Sequence, residues 1–169
     1  MGSLQNLAFC KSSARTLFLT HRPRRIKYWR TRYFWAHTYR NMTQISINQN
    51  LPFVTVTLRA NGKTVQLPNI LLDTGSAATI FKTDDLIELG IQVELTDRIR
   101  TMVGIGGSEV VVEKQIEAIK VGEIEITPFK IQMGALDYGY SIRGILGLDF
   151  LLRASVILDF KNLEIRQIV

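Results

Sequence analysis

The chain has 169 residues, with 21 Lys and Arg against 15 Asp and Glu, and this length suits one domain with a substantial core. Its single cysteine, Cys10, and both histidines, His21 and His37, lie within the first 42 residues. Residues 43–169 therefore contain neither type, which excludes a disulfide framework, a zinc site with the usual ligands and a Ser-His-Asp triad there. No apolar run approaches the roughly 18 to 20 residues that cross a bilayer.

Residues 1–42 form a basic tail with nine Lys or Arg and no acid. They show no sustained helix or strand period, so we expect a disordered segment. Three interpretations remain open: sequence upstream of a true start at Met42, a transit peptide, or an arm that stacks on and neutralises single-stranded nucleic acid. The expected location is cytoplasmic, or organellar if the segment is a transit peptide.

From residue 43 onward the sequence predicts one all-β domain, 43–169. Asn61-Gly62 separates two β-rich runs, and this dipeptide is a strong hairpin signal because both turn positions favour φ > 0. Further strand pairs are predicted around turns at 121–123 and 161–162. Many short strands with few helices indicate a compact barrel or sandwich.

Two short helices are predicted between the strands. The segment "KTDDLIELG" begins with Thr83 as a candidate N-cap, places Asp84 and Asp85 where the helix macrodipole favours acids, and stops at Gly90. The segment "LDFLLRA" is the second. The acids of the first helix have no cluster of ligands around them, so we predict no metal site.

Asp73 ends the apolar run of "NILLDTGS" and begins a turn. A purely structural interpretation is available, because Asp often opens a turn by bonding its own downstream backbone. An acid held beside an apolar strand is also a candidate for proton transfer. A single carboxylate is a poor catalyst of water attack on an amide, since that reaction requires a base and an acid together. Two copies of Asp73 sharing one proton would supply both roles.

Three blocks in order carry a family resemblance: "LLDTGSAATIF", "TMVGIGG" and "RGILGLDFLLRASVILDF". Residues 45–169 resemble the retropepsin-like aspartic proteases, and "ILGLDFL" is closer to their cellular and bacterial members than to the retroviral ones. The resemblance implies an acid-protease half-barrel with a glycine-rich flap hairpin. It also implies a homodimer that takes a peptide or protein substrate and needs no cofactor.

Carried over by position, the resemblance implies that Asp73 is the catalytic aspartate. Thr74 would bond across the dimer, Gly75 would allow close backbone approach, and Ser76 would complete the loop. Retroviral relatives carry an acid shortly after the motif, where this chain has Ser76-Ala77-Ala78, so its grip on the substrate backbone should differ.

The glycine-rich segment Gly104-Ile105-Gly106-Gly107 corresponds to the tip of the flap. A dinucleotide-binding interpretation would need a further glycine where Glu109 stands, and a strand-to-helix context that is missing. The plain alternative is an ordinary turn.

Two other acids have structural interpretations. Asp149, which follows Gly147 near the site, is predicted to cap the second helix, and Asp159 is predicted to be exposed or linked to a turn. The strands around 44–53 and 163–169 are predicted to be exchanged between subunits, because unpaired they would expose bare edges.

The sequence thus predicts an aspartic-type endopeptidase that acts as a homodimer. The alternative is a catalytically idle dimeric module of the same fold that binds peptides or a partner, which the intact Asp73-Thr74-Gly75 disfavours. A nucleic-acid-associated protein is disfavoured further, since the excess basic charge is confined to residues 1–42.

Overall fold

The computed structural model describes residues 39–104, 107–136 and 141–168. Most of the predicted tail, residues 1–42, lies outside the described residues. Its last four residues are described and belong to β1, which starts at Tyr39. The strands are β1 (Tyr39–Gln44), β2 (Ser46–Asn48), β3 (Leu51–Ala60), β4 (Lys63–Leu72), β5 (Ile80–Lys82), β6 (Arg98–Gly104), β7 (Gly107–Ile116), β8 (Ala118–Val121), β9 (Ile124–Ile126), β10 (Phe129–Gly134), β11 (Gly144–Leu146), β12 (Val156–Asp159) and β13 (Glu164–Ile168). The helices are α1 (Thr83–Ile87) and α2 (Leu148–Ala154).

The tight turns form where their sequences predict them. Asn61 (φ 53°) and Gly62 (φ 69°) both adopt the left-handed conformation and join β3 to β4 as a hairpin. Gly122 (φ 57°) does the same between β8 and β9. Asp159 accepts hydrogen bonds from the N–H groups of Lys161 and Asn162, which confirms its predicted link to a turn.

The main sheet has the strand order β6-β7-β10-β5-β11-β4-β3-β8-β9, with β2 paired to β3. Strands β4 and β5 follow each other in the sequence but are not neighbours, because β11 lies between them. It pairs parallel to β4 and antiparallel to β5. This insertion brings Leu146 next to Leu72, at the end of the strand that leads into Asp73.

The core lies against one face of this sheet. It is built from alternate residues of the strands together with α2, whose Phe150, Leu151 and Ala154 are buried. The rings of Phe129 and Phe150 meet edge to face at 6.0 Å, and the Arg153 guanidinium lies 5.3 Å from the Phe129 ring centroid. Burial of this apolar face supplies the main stabilisation, and the predicted all-β domain with two short helices forms.

The terminal strands pair within the chain, which differs from the predicted exchange. A separate three-stranded sheet has the order β1-β13-β12, so β13 is its central strand and both of its edges are bonded to the same chain. The strand pair predicted around 161–162 does form, as β12 and β13, but the other edge of β13 pairs with β1 of the same chain instead of being exchanged. The edge of β12 opposite β13 is free of strand pairing in the described part of the chain.

Neither helix is capped as predicted. The N-cap of α1 is Lys82, and Thr83 lies one residue inside the helix, where its hydroxyl donates to the Gly134 carbonyl (3.3 Å). The N-cap of α2 is Gly147, so Asp149 is the second helical residue. Within the described residues, no helix is long and apolar enough to cross a membrane.

Candidate active site

Asp73 lies in the loop that follows β4, and neighbouring strands fix its backbone. Its N–H donates to the Leu146 carbonyl on β11 (3.1 Å), and its own carbonyl accepts from Ser76 N–H (3.3 Å). The insertion of β11 therefore determines where the chain leaves the sheet, and the loop turns at once. The side chain is half-buried at this edge of the sheet.

One carboxylate oxygen of Asp73 is held by the loop itself. Oδ1 accepts a hydrogen bond from Gly75 N–H (2.8 Å), which is the turn interaction that the sequence allows. A Cβ at position 75 would lie only 3.2 Å from Oδ1, so a residue without a side chain suits this approach. The turn interaction and a catalytic role are compatible, because the bond orients the carboxylate and occupies only one of its two oxygens.

Gly147 lets α2 approach the loop. A Cβ at this position would lie 2.5 Å from the Ala78 carbonyl oxygen, a separation that requires the backbone to move. With glycine in place, the N–H of Leu148 donates to the Ser76 carbonyl (2.8 Å). The Ser76 hydroxyl in turn donates to the Ala78 carbonyl (2.8 Å), so the far side of the loop is bonded both to itself and to the helix.

Thr79 and Asp149 connect the loop to the start of α2. Thr79 is fully buried, and its N–H and hydroxyl donate to the two oxygens of Asp149 at 3.0 and 2.7 Å. The Thr79 oxygen also accepts from Gly147 N–H (3.1 Å), and Asp149 Oδ1 accepts from Phe150 N–H (2.8 Å). Asp149 thus has a structural role, as predicted, but through the catalytic loop rather than as a helix cap.

Strands β6 and β7 form the predicted glycine-rich hairpin, with Gly104 paired to Gly107. The two residues between them, Ile105 and Gly106, lie outside the described residues. The inner face of the hairpin places Val111 and Met102 on a small apolar cluster that we call the cleft cluster. Its members are Leu71, Ile80, Met102, Val111, Leu136 and Ile145.

The cleft cluster lies on the sheet face that carries Leu71, the second residue before Asp73. Leu71 is on β4, which ends one residue before Asp73. The hairpin therefore rests on sheet surface close in the chain to Asp73. A second link holds it in place, since the Glu109 carboxylate accepts from Leu136 N–H (2.9 Å).

Ion pairs lie around the site rather than in it. Glu113, at the base of the hairpin, bonds to Lys130 (3.1 Å) and Arg100 (3.0 Å), and these cations hold the pKa of its carboxyl below the ordinary value. Asp85 on α1 binds Arg143 just before β11 and raises the pKa of that guanidinium. Among the described residues, no group of three or more His, Cys, Asp or Glu could hold a metal ion.

The structure brings together most of the residues that the sequence singled out. Asp73, Gly75 and Ser76 lie in one loop, Gly147 and Asp149 are joined to it by hydrogen bonds at the start of α2, and Thr74 lies exposed at the turn. Sequence reasoning missed Thr79, whose only signal is a polar residue inside the apolar segment "AATIF". It also missed the residues of the cleft cluster, because their meeting depends on strand order.

Comparison with known proteins agrees with this geometry. Residues 54–150, more than half of the chain, match the sequence model of a family described as "Aspartyl protease". The chain therefore belongs to the aspartyl protease family. No curated protein matched the sequence.

Among solved structures, the fold is similar to the crystal structure of a retropepsin-like aspartic protease from Rickettsia conorii. The TM-score is 0.56 at 19% sequence identity, and the match covers 75% of this chain and 90% of that chain. At this identity the similarity shows a shared fold, and the family resemblance predicted from the sequence is confirmed.

Proposed function

We propose that this chain is an aspartic endopeptidase in which Asp73 and its copy in a second subunit hold the attacking water. The observation that carries the proposal is the geometry of Asp73. The carboxylate is half-buried at the end of a strand, one of its oxygens is oriented by Gly75, and its loop is bonded to α2. Such a group is preorganised for proton transfer.

The chemistry needs both carboxylates. The ionised one takes a proton from the water as the water oxygen attacks the carbonyl carbon of the scissile peptide bond, while the protonated one donates to the carbonyl oxygen. In the tetrahedral intermediate the amide nitrogen takes the proton from the first carboxyl, a hydroxyl group returns its proton to the second carboxylate, and the C–N bond breaks. The products are a carboxylic acid and an amine, and the pair of acids again shares one proton. Because one of the two acids must carry a proton, we expect activity to be highest below neutral pH.

A single Asp-Thr-Gly loop per chain makes a homodimer necessary. We propose that the two subunits pair along the free edge of β12, and we call this strand-to-strand interface the seam. Ser155 accepts a hydrogen bond from Ile168 N–H (3.0 Å). Because bonded pairs alternate along an antiparallel ladder, the N–H and C=O groups of Val156 and Leu158 point away from β13. Strand β12 thus has two residues whose N–H and C=O groups can bond to a partner strand.

The other sheet edges are less suited to pairing, because charge or packing protects them. Strand β6 carries Arg98 and Arg100, and the short β9 carries Glu125, which is bonded to Arg59. Strand β1 crosses the β8–β9 turn, where Thr43 donates to the Val121 carbonyl (3.3 Å). Among β1, β6, β9 and β12, these contacts leave β12 as the most open edge.

The sequence of β12 is compatible with pairing to its own copy. Its one charge, Asp159, is neutralised by Arg166 (2.8 Å). If the two-fold axis passes at Ile157, Val156 faces Leu158 of the second copy, and Ser155 faces the opposite Asp159, so the two carboxylates stay apart.

Helix α2 connects β12 to the loop that carries Asp73. Strand β12 begins just after α2, and a seven-residue helix rises about 10 Å. The helix begins at Leu148, whose N–H is bonded to the Ser76 carbonyl in the loop.

Peptide cleavage tests the catalytic part of the proposal. The protein is incubated with a diverse peptide library between about pH 3 and pH 8, and the products are sequenced. Asp73→Asn should lower turnover by at least about 10³-fold while leaving the circular dichroism spectrum and the oligomeric state unchanged, since Asn has nearly the same shape but cannot accept the proton. Turnover close to wild type in this variant would place the chemistry elsewhere. Peptide binding without cleavage by the wild type would favour the idle module.

Cysteine cross-linking tests the seam. In a Cys10→Ser background, Ile157→Cys should form a disulfide-linked dimer under mild oxidation, because a two-fold axis at this residue places the two Cβ atoms close together. Leu152→Cys is the control, since this side chain is exposed on α2 but lies off the seam. Equal cross-linking of both variants, or a monomer that cleaves at full rate, would refute the proposed dimer.

A further inference from the structure

Gln132 on β10 carries a buried polar atom that the fold does not use. The residue is 8% exposed, and its Oε1 is buried with no hydrogen-bond partner. Buried polar groups in folded proteins are almost always bonded, because an unpaired one loses its hydration without compensation. The described part of the free chain offers no donor to this oxygen, so we look for the donor in a bound molecule.

The strand register places Gln132 on the face of the sheet that carries the site. Gln132 is opposite Ile80 on β5, Ile80 is opposite Ile145 on β11, and Ile145 is opposite Leu71 on β4. These four residues form one row across adjacent strands, and the last three belong to the cleft cluster. With strands about 4.8 Å apart, Gln132 lies about 14 Å from Leu71 along this row.

Strand β7 of the hairpin lies beside this part of β10. Gly134 follows Gln132 by two residues and therefore faces the same side. A Cβ at Gly134 would lie 2.7 Å from Glu109 Oε1 and 3.1 Å from Val111 Cγ1, both on β7. Gln132 thus lies on the sheet face that continues into the inner face of the hairpin, next to the strand that we expect a bound peptide to follow.

The cations near Gln132 form ion pairs with Glu113. Glu113 is opposite Gln132 on β7 and binds both Arg100 and Lys130. The Gln132 oxygen is therefore a neutral acceptor beside the aliphatic side chain of Ile80, and a single neutral acceptor compensates poorly for the desolvation of a full charge.

We propose that Gln132 determines specificity: its amide oxygen accepts a hydrogen bond from a hydroxyl or carboxamide side chain of the substrate. The preferred peptide then carries Ser, Thr, Asn or Gln at the position that meets Gln132. An extended peptide advances about 3.3 Å per residue, so the row from Leu71 to Gln132 corresponds to about four residues. The inference rests on the proposed function, because it assigns a subsite of the same cleft.

Paired substrates test this assignment. Cleavage of library peptides that differ only as Thr against Val, or Asn against Leu, is measured for the wild type and for Gln132→Leu. At one position the wild type should favour the donor-bearing residue by about tenfold or more, and the variant should lose that preference. Gln115→Leu is the matched control, since this Gln is exposed on the neighbouring β7, and it should keep the wild-type profile. An unchanged profile in Gln132→Leu, or a wild-type preference for Lys or Arg at that position, would overturn the proposal.

Thermal unfolding gives a readout that does not depend on cleavage. Removing an unpaired buried acceptor should raise the Tm of Gln132→Leu above that of the wild type, as at other sites where function is favoured over stability. A lower Tm would assign Gln132 a structural role and refute the proposal. If the wild type cleaves nothing, the proposed function fails and the Tm comparison still decides on Gln132. If cleavage depends on Asp73 but the profile is unaffected, only the assignment of Gln132 fails.

Discussion

The loop that carries Asp73 and the hairpin of β6 and β7 are held in different ways. In the loop, residues 73–79, hydrogen bonds reach β11 and α2, and its most buried polar residue, Thr79, uses both its N–H and its hydroxyl. The hairpin of β6 and β7 rests on the cleft cluster through Met102 and Val111, while Ile99, Val103 and Val110 on its outer face are exposed. At its base the hairpin is bonded to β10 through residues 112–116 of β7, and Glu109 accepts from Leu136 N–H. The loop is therefore held by hydrogen bonds on both sides, whereas the part of the hairpin beyond the β7–β10 ladder is held by apolar contact and one such bond.

This difference fits two tasks in the reaction that we propose. A carboxylate that transfers protons must be held to a fraction of an ångström, which buried hydrogen bonds provide. A cover over the substrate must separate from the sheet and return, and contacts without strict direction permit this at modest cost. Mutations in the loop should therefore affect both stability and turnover, whereas mutations in the hairpin should affect turnover first.

Of the variants that test this comparison, Thr79→Val should have the largest effect. The change keeps the side-chain volume but removes the hydroxyl, which leaves Asp149 and the Gly147 N–H without that partner. We expect a loss of about 1–3 kcal/mol in the free energy of unfolding, measured by urea denaturation, and a fall in kcat of at least about tenfold. Thr83→Val is the control, because that hydroxyl makes one longer bond, to Gly134 (3.3 Å), outside the loop. Equal effects of the two variants would mean that the hydrogen bonds of Thr79 contribute no more to stability and turnover than the bond of Thr83.

A smaller effect is expected from Met102→Ala in the hairpin. Met102 packs on the cleft cluster, so its truncation weakens the closed position of the hairpin, and kcat/KM should fall by about three- to tenfold with little change in Tm. The adjacent Val103 is 83% exposed, and Val103→Ala should leave both quantities unchanged. A large drop in Tm for Met102→Ala would show that the hairpin belongs to the cooperative core, contrary to the comparison.

The smallest effect concerns pH and the base of the hairpin. The hydrogen bond from Lys130, followed by the charges of Lys130 and Arg100, holds the folded pKa of Glu113 below its ordinary 4.5. This contribution to stability is present above pH 4.5 and is lost as the pH falls through the lowered pKa. Glu113→Gln should therefore destabilise the protein at neutral pH and converge with the wild type in strong acid, as followed by hydrogen exchange of hairpin amides. A constant difference between the two across this range would contradict the assignment.

Local features of this chain were predictable, and pairings between distant segments were not. Asn61-Gly62 sets its own turn, and Asp73-Thr74-Gly75 identifies its loop, because the required backbone conformations are encoded in neighbouring residues. The bond between Thr79 and Asp149 joins residues 70 positions apart and leaves no periodic signal. The predicted cap at Asp149 was wrong for the same reason, since its carboxylate is directed to a distant partner.

The terminal strands show the same limit. Their β-rich composition predicted strands, and strands form. Whether Ile165 and its neighbours pair with their own chain or with a partner depends on the turn at 160–163, which the sequence analysis identified without drawing its consequence. Strand propensity indicates that an edge must be covered, but it does not indicate by which chain.

The position of β11 between β4 and β5 has a consequence for synthesis. A ribosome produces Asp73 more than seventy residues before Leu146, the residue whose carbonyl receives the Asp73 N–H. Such long-range pairing raises the contact order and delays completion of the sheet until the late segment has emerged. A nascent chain therefore carries the aspartate without the neighbours that orient it, and we expect the growing polypeptide to stay inert toward other proteins until its last third is made.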